Sequence, residues 1–218
     1  MLRRLLAEFL GTAFLLMSII GSGIMAVNLN ADNMAVSLLC NSISVGAALV
    51  VLITIFAPIS GAHFNPAVSL YFMIKKQLPI LHGFAYVVTQ ITAAIIGVIL
   101  TNLMFDLDGI SISQTMRSSE GRWLSEFIAT FGLMITIIGT VRFKPDFIAA
   151  AVGLYILSAF WFTASTSFAN PAVTIGRMFS DSFAGIDPSS VGLYIMMQLL
   201  GVIASIFVCR ILWPSCTD

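Results

Sequence analysis

Charge is what this chain has least of. Among 218 residues, ten are Lys or Arg and ten are Asp or Glu, 9% in all, where an ordinary soluble domain carries about a quarter. So few charges could not cover a soluble surface. The formal net charge is zero, so there is no basic face for nucleic acid and no excess of one sign for an oppositely charged surface. Cysteine is also scarce: Cys40, Cys209 and Cys216 are odd in number and lack CxxC or His-paired spacing. Neither a disulfide framework nor a zinc site is indicated, and structural roles are expected for all three. No nucleotide-binding loop, catalytic triad or metal-ligand cluster occurs in the sequence. An enzyme, a resident metal and a cofactor are therefore not expected.

What the chain does have is apolar length. Hydrophobic residues make up 59% of it, gathered into blocks long enough to cross a hydrocarbon core that needs about 20 helical residues. The lipid bilayer is the expected solvent, with spanning helices over 5–27, 34–56, 80–104, 123–141, 147–164 and 191–212. Arg3 and Arg4 precede the first run as they would in a secretory signal. That run is too long for a signal core and has no convincing cleavage site, so it reads as a retained span. Two shorter segments, 65–74 and 170–179, are each about 15 Å of helix at 1.5 Å per residue, half a crossing. They are candidates to enter and leave by the same face.

The short segments open alike, with Asn65-Pro66-Ala67-Val68 and Asn170-Pro171-Ala172-Val173. Asn is a good helix N-cap and Pro suits the first helical position. Ala7-Glu8-Phe9-Leu10-Gly11-Thr12 is echoed by Ser125-Glu126-Phe127-Ile128-Ala129-Thr130, and Gly83 to Gln90 by Gly192 to Gln198. The expected organisation is one membrane domain over 1–218, made of a first repeat at 1–104 and a second at 122–213. Three spans per repeat is an odd number, so the second copy must lie inverted in the membrane. With a cytoplasmic N-terminus, the inner side receives Arg3, Arg4, Lys75, Lys76, Arg142, Lys144 and Arg210, and the outer side Arg117, Arg122 and Arg177. This bias predicts both termini in the cytoplasm.

Half-helices entering from opposite faces can meet at the midplane with their N-termini together. Each N-terminus carries roughly half a positive charge, so cations and protons are opposed there while a neutral polar solute is not. As caps, Asn65 and Asn170 would accept from their own helices and keep the amide NH2 free to donate into a pore. The preceding stretches, Ser60-Gly61-Ala62-His63-Phe64 and Ser165-Thr166-Ser167-Phe168-Ala169, are small and polar enough to run as extended backbone. Backbone of that kind is tolerated at depth only where it lines water or protein. One Asn-Pro-Ala would arise by chance in roughly one chain in thirty of this length. Two copies at equivalent places in a repeat are a specific signal.

On these motifs the sequence resembles the aquaporin (major intrinsic protein) family over nearly its whole length. The resemblance implies an all-α membrane fold of six transmembrane helices plus two re-entrant half-helices, and a homotetramer with one pore per subunit. It also implies an outer filter of four residues. Carried over position by position, these fall on Val45, on Phe160 counting from Gly153-Leu154 or Ser158 counting back from Asn170, on Ser167 and on Val173. Most of the family has arginine at the last of these. Its absence makes the filter wider and more apolar, as in a bacterial subset associated with passage of arsenic compounds. That implies a bacterial inner membrane and a passive channel for water and small uncharged solutes larger than water, such as glycerol-like polyols and neutral arsenic compounds.

Arg177 lies one turn beyond Val173 on the same helical face. It could turn toward the outer vestibule, but a surface or loop pairing with Asp181 or Asp187 is the expected arrangement. Glu8 and Glu126 are the only acids inside spans, and a proton relay is one reading of an ionisable group at that depth. The family implies the other, that they accept hydrogen bonds from the pore-lining loops. His63 is expected to line the pore or fix its loop, with a pH gate as the alternative. Gly46, Gly97, Gly153 and Gly201 sit at matching places inside spans and predict close helix packing. A strict water channel, a secondary transporter of a neutral solute and an ion pore are the competing functions. Beyond Glu8 and Glu126 there is no buried charge to build a coupling site, and no acidic ring to admit cations.

Overall fold

A computed structural model describes residues 1–29 and 32–214, and Cys216 lies outside them. The helices are α1 (Leu2–Leu29), α2 (Met34–Ser60), α3 (Pro66–Ile74), α4 (Ile80–Met104), α5 (Glu120–Phe143), α6 (Ile148–Phe162), α7 (Pro171–Gly176) and α8 (Pro188–Leu212). Short 3-10 turns at Pro145–Phe147 and Arg177–Phe179 precede α6 and extend α7. No strand occurs among the described residues. Among the described residues, six helical stretches are long and apolar enough to cross a membrane.

Several spans outrun the expected limits. α1 begins at Leu2, α5 at Glu120 and α8 at Pro188, while α2 continues to Ser60. A hydropathy pattern stops at the first charged, polar or helix-breaking residues, whereas a spanning helix continues until a capping group or a change of backbone ends it. Ser119 caps α5 by accepting from Arg122 N at 3.3 Å, and Asp187 caps α8 by accepting from Ser189 N at 2.8 Å. Gly61, at φ 91°, ends α2 in a left-handed turn and donates its N–H to Ala57 O, a conformation glycine adopts at no steric cost. α6 is shorter than expected, because the turn at Pro145–Phe147 takes up Phe147 and the backbone turns extended at Thr163.

Helix packing repeats along the chain: α1 lies against α2 and α4, α5 against α6 and α8, and α2 crosses α6. Backbones come together at glycines. A Cβ on Gly46 would lie 3.0 Å from Gly153 O, and one on Gly153 2.6 Å from Gly46 O. Gly97 and Gly201 present the same closeness to Ala13 O and Phe127 O. Lipid tails offer no hydrophobic gain for helix association, so this close approach and the dispersion contact it allows do that work. Large apolar side chains such as Phe14, Val51, Ile55, Phe84, Leu154 and Phe207 face outward, as expected where the surroundings are lipid. The two short helices, α3 and α7, meet inside the ring of long ones.

Candidate functional site

The short helices are placed by their asparagines. Asn65 Oδ1 accepts from Ala67 N at 2.9 Å, and Asn170 Oδ1 accepts from Ala172 N at 2.9 Å and Val173 N at 3.3 Å. Pro66 and Pro171 occupy the first helical positions, where the missing N–H has no acceptor to lose. The amide nitrogens are not wholly free for a pore, contrary to expectation. Asn65 Nδ2 donates to Ala169 O and Asn170 Nδ2 to Phe64 O, both at 2.8 Å. A primary amide has two N–H groups, so each asparagine retains one beyond this exchange, and both residues line the central cavity.

The backbone leading to each cap is held by a buried glutamate. Glu8 Oε1 accepts from Ser60 Oγ (2.6 Å) and His63 N (2.9 Å), and its Oε2 from Phe64 N (2.7 Å) and Gln90 Nε2 (2.9 Å). Glu126 does the same in the second half. Its Oε1 accepts from Phe168 N (2.9 Å), and its Oε2 from Ala169 N (3.0 Å) and Gln198 Nε2 (2.6 Å). Each glutamine donates again, Gln90 to Ser69 Oγ on α3 and Gln198 to Thr174 Oγ1 on α7. A glutamate on one spanning helix, a glutamine on another and a hydroxyl on the half-helix thus clamp each loop.

The clamp has something to hold. Ala62 and Phe64 in the first loop, and Thr166, Ser167 and Ala169 in the second, have φ between 46° and 62°. Left-handed backbone at such residues costs on the order of 1–3 kcal/mol each. Hydrogen bonds to a charged group contribute about 1.5–3 kcal/mol each, enough to offset it. Composition gave no warning of this strain, because none of the five is Gly, Asn or Asp.

One cavity of about 320 Å³ passes both asparagines. It runs from Val141 and Pro145, where α5 gives way to α6, to Val173 and Arg177 at the other end. Between the loops its wall is apolar, with Leu15, Leu49, Ile53, Leu133, Ile137 and Ile156. Val45, Phe160, Ser167 and Val173 all line it and are at most 4% exposed. Ser158, the other candidate from α6, is on the exposed face of that helix. Ser167 Oγ is buried with no hydrogen-bond partner. His63 lines the cavity too, its ring stacked on Phe72 at 4.6 Å and its Nδ1 3.1 Å from Ser69 Oγ.

Arg177 departs from expectation. It is 2% exposed, its Nε donates to Ala184 O, and its guanidinium carbon stands 3.4 Å from the centroid of Phe168. Asp181 instead accepts from Gln114 N, and Asp187 caps α8. The chain folds back over α7 at Ser182–Gly185, so the nearest acceptor is a backbone carbonyl that no charge pattern reveals. Gln90, Gln198, Ser69 and Thr174 were equally silent in chemistry, and only the repeated position of the two glutamines hinted at a role.

Six apolar helices long enough to span, packed around two capped half-helices and a cavity that passes both asparagines, define a polytopic membrane channel. The profile of the Major intrinsic protein family matches residues 1–148. The sequence is 48% identical over 208 residues to an aquaglyceroporin of Rhizobium meliloti (strain 1021), covering 95% of this chain and 89% of the relative. It is 30% identical over 217 residues to Nodulin-26 of Glycine max, covering 96% and 78%. The fold also matches the X-ray structure of the aquaglyceroporin from Plasmodium falciparum, with a TM-score of 0.76 at 23% identity over 98% of this chain and 97% of that one. The chain belongs to the major intrinsic protein family, whose members are channels and not enzymes.

Proposed function

We propose that this protein is a passive channel for water and small uncharged solutes, with a preference extending to solutes larger than water such as glycerol-like polyols and neutral arsenic compounds. The observation that carries this reading is the cavity lined by Asn65 and Asn170 together with Pro145 and Arg177. At the asparagines, one remaining N–H of each amide donates to the passing oxygen of water or a hydroxyl. The paired N-terminal ends of α3 and α7 add partial positive charge on both sides, which disfavours cations. Asn65, Pro66, Ala67, Asn170, Pro171 and Ala172 form this central station, and Glu8, Glu126 and His63 support the loops leading to it.

Val45, Phe160, Ser167 and Val173 form the outer filter in this reading. Valine at two of the four positions leaves apolar wall where a bulkier or charged side chain would narrow the passage. The name of the Rhizobium meliloti relative, an aquaglyceroporin, supports a solute range beyond water. Residues 1–104 and 122–213 are two inverted copies of one unit, supported by the duplicated Glu–Gln–hydroxyl clamp. The concentration of Lys and Arg in alternate connections supports two cytoplasmic termini. The bacterial relative supports a bacterial inner membrane. Outward apolar faces on the spanning helices suit a homotetramer in lipid.

Proteoliposomes assayed by light scattering test the reading. Osmotic water flow, glycerol uptake and neutral arsenous acid uptake should all be fast, non-saturating at modest concentration and indifferent to proton or sodium gradients. Saturable uptake driven by an ion gradient would replace the channel with a transporter.

A further inference from the structure

Arg177 carries a buried charge that the fold does not neutralise. Among the described residues its one hydrogen-bond acceptor is Ala184 O, reached from Nε, and neither terminal nitrogen has a partner. No carboxylate pairs with it, since Asp181 and Asp187 are engaged elsewhere. The contrast with Arg117 is informative. That side chain also approaches Phe168, at 5.3 Å, but it spends Nε and Nη2 on Gly185 O and Phe183 O, which fastens the loop over α7. Arg177 lines the cavity, and Arg117 does not.

A buried guanidinium without an anion is costly unless water or a ligand solvates it. The cavity is the space where that can happen. Ser167, the neighbour of Phe168 in the chain, brings a second unsatisfied group to the same wall: its Oγ is buried, unpartnered and in a residue 4% exposed. Val45, Phe160 and Val173 line the same cavity, the last of them one helical turn before Arg177.

We propose that Arg177 is a specificity-determining residue of the outer constriction. With Ser167 it forms an oxygen-binding site for neutral solutes that join a compact apolar body to a hydroxyl or oxo group, and it bars cations. The proposal rests on the channel reading above. The guanidinium donates to the solute oxygen, and the valines and Phe160 receive the carbon side. A protonated amine of the same size meets the positive charge and no anion to offset it, so it is turned away. The role that arginine would play at position 173 is thereby displaced by one helical turn, which leaves the passage wider at Val173 while keeping its charge.

The test uses the full-length protein in proteoliposomes, with glycerol, water and methylammonium as probes. Arg177→Leu and Arg177→Gln remove the charge and Arg177→Lys keeps it, with assembly checked by size-exclusion elution and circular dichroism. The neutral variants should take up methylammonium at least tenfold faster than the unaltered protein. Arg177→Lys should keep excluding it but lose at least threefold in the glycerol-to-water permeability ratio, because a single ammonium lacks the fork of donors. Ser167→Ala should lower the same ratio. Unchanged cation exclusion together with an unchanged ratio in the neutral variants would overturn the proposal. If neither neutral variant assembles, the lysine variant decides: a lowered ratio supports the site and an unchanged ratio overturns it. Failure of the unaltered protein to pass glycerol would instead remove the channel reading itself.

Discussion

Asn65 donates across the molecule to the carbonyl preceding Asn170, and Asn170 donates back to the carbonyl preceding Asn65, both at 2.8 Å. Each asparagine therefore caps its own half-helix and ties it to the opposite loop. The two halves of the chain are joined at the point where the cavity passes between them.

That reciprocity predicts a coupled pair. Asn65→Ala and Asn170→Ala should each lose an N-cap, about 1 kcal/mol, and a buried cross-bond of about 0.5–1.5 kcal/mol. The double substitution should cost less than the sum of the singles, because either one already loosens the junction. Thermal denaturation in detergent, run as a double-mutant cycle, reads the difference. Strict additivity would mean that the two bonds act independently.

Glu126→Gln replaces one of two accepting oxygens by an NH2 group, which then faces either the N–H of Phe168 or the N–H of Ala169 and the amide of Gln198. Such a donor-to-donor clash should destabilise the fold by about 1–3 kcal/mol, and Glu8→Gln should behave alike. The yield of monodisperse protein should fall. Protein that does assemble should carry neutral solutes with the same indifference to a pH gradient. Proton-coupled flux that vanishes in the glutamine variants would reassign both acids to a relay.

Packing at the glycines makes a sharper contrast. Gly153→Ala puts a methyl 2.6 Å from Gly46 O, and forcing the helices apart should cost about 1–3 kcal/mol. Gly192→Ala, on the exposed side of α8 with nothing within 4 Å, should be neutral or stabilising by up to about 1 kcal/mol. Melting temperatures of the two variants check this, and equal temperatures would contradict the contact.

Val173→Arg should place a second guanidinium beside Arg177 and fill the apolar side of the outer constriction. Glycerol and arsenous acid uptake should drop about tenfold or more, equivalent to about 1.4 kcal/mol of barrier, while water flow persists. Stopped-flow light scattering compares the three rates. Unchanged solute selectivity would move the filter away from Val45, Phe160, Ser167 and Val173.

Much of this was legible in the residues themselves. Six apolar blocks need a bilayer whatever their packing, and Asn-Pro at the head of a short block starts a helix by local capping chemistry alone. The repeated Glu8 and Glu126 stood out as acids at membrane depth, and the family resemblance, rather than their spacing, tied them to the two loops. Phe160 and Ser158 could not be separated by counting, since the answer depends on how many residues the α6–α7 connection uses. Helix α6 resolves it by turning Phe160 inward and Ser158 outward.

Local and compositional forces, which act over a few residues, were sufficient to determine the solvent, the helices and the caps from the chain alone. The partner of each asparagine's amide, the left-handed backbone at Phe64, Ser167 and Ala169, and the turn of Arg177 into the cavity were decided by folding. These depend on groups about a hundred residues apart, or on a loop laid over a helix. Only the assembled molecule brings such groups within hydrogen-bond distance.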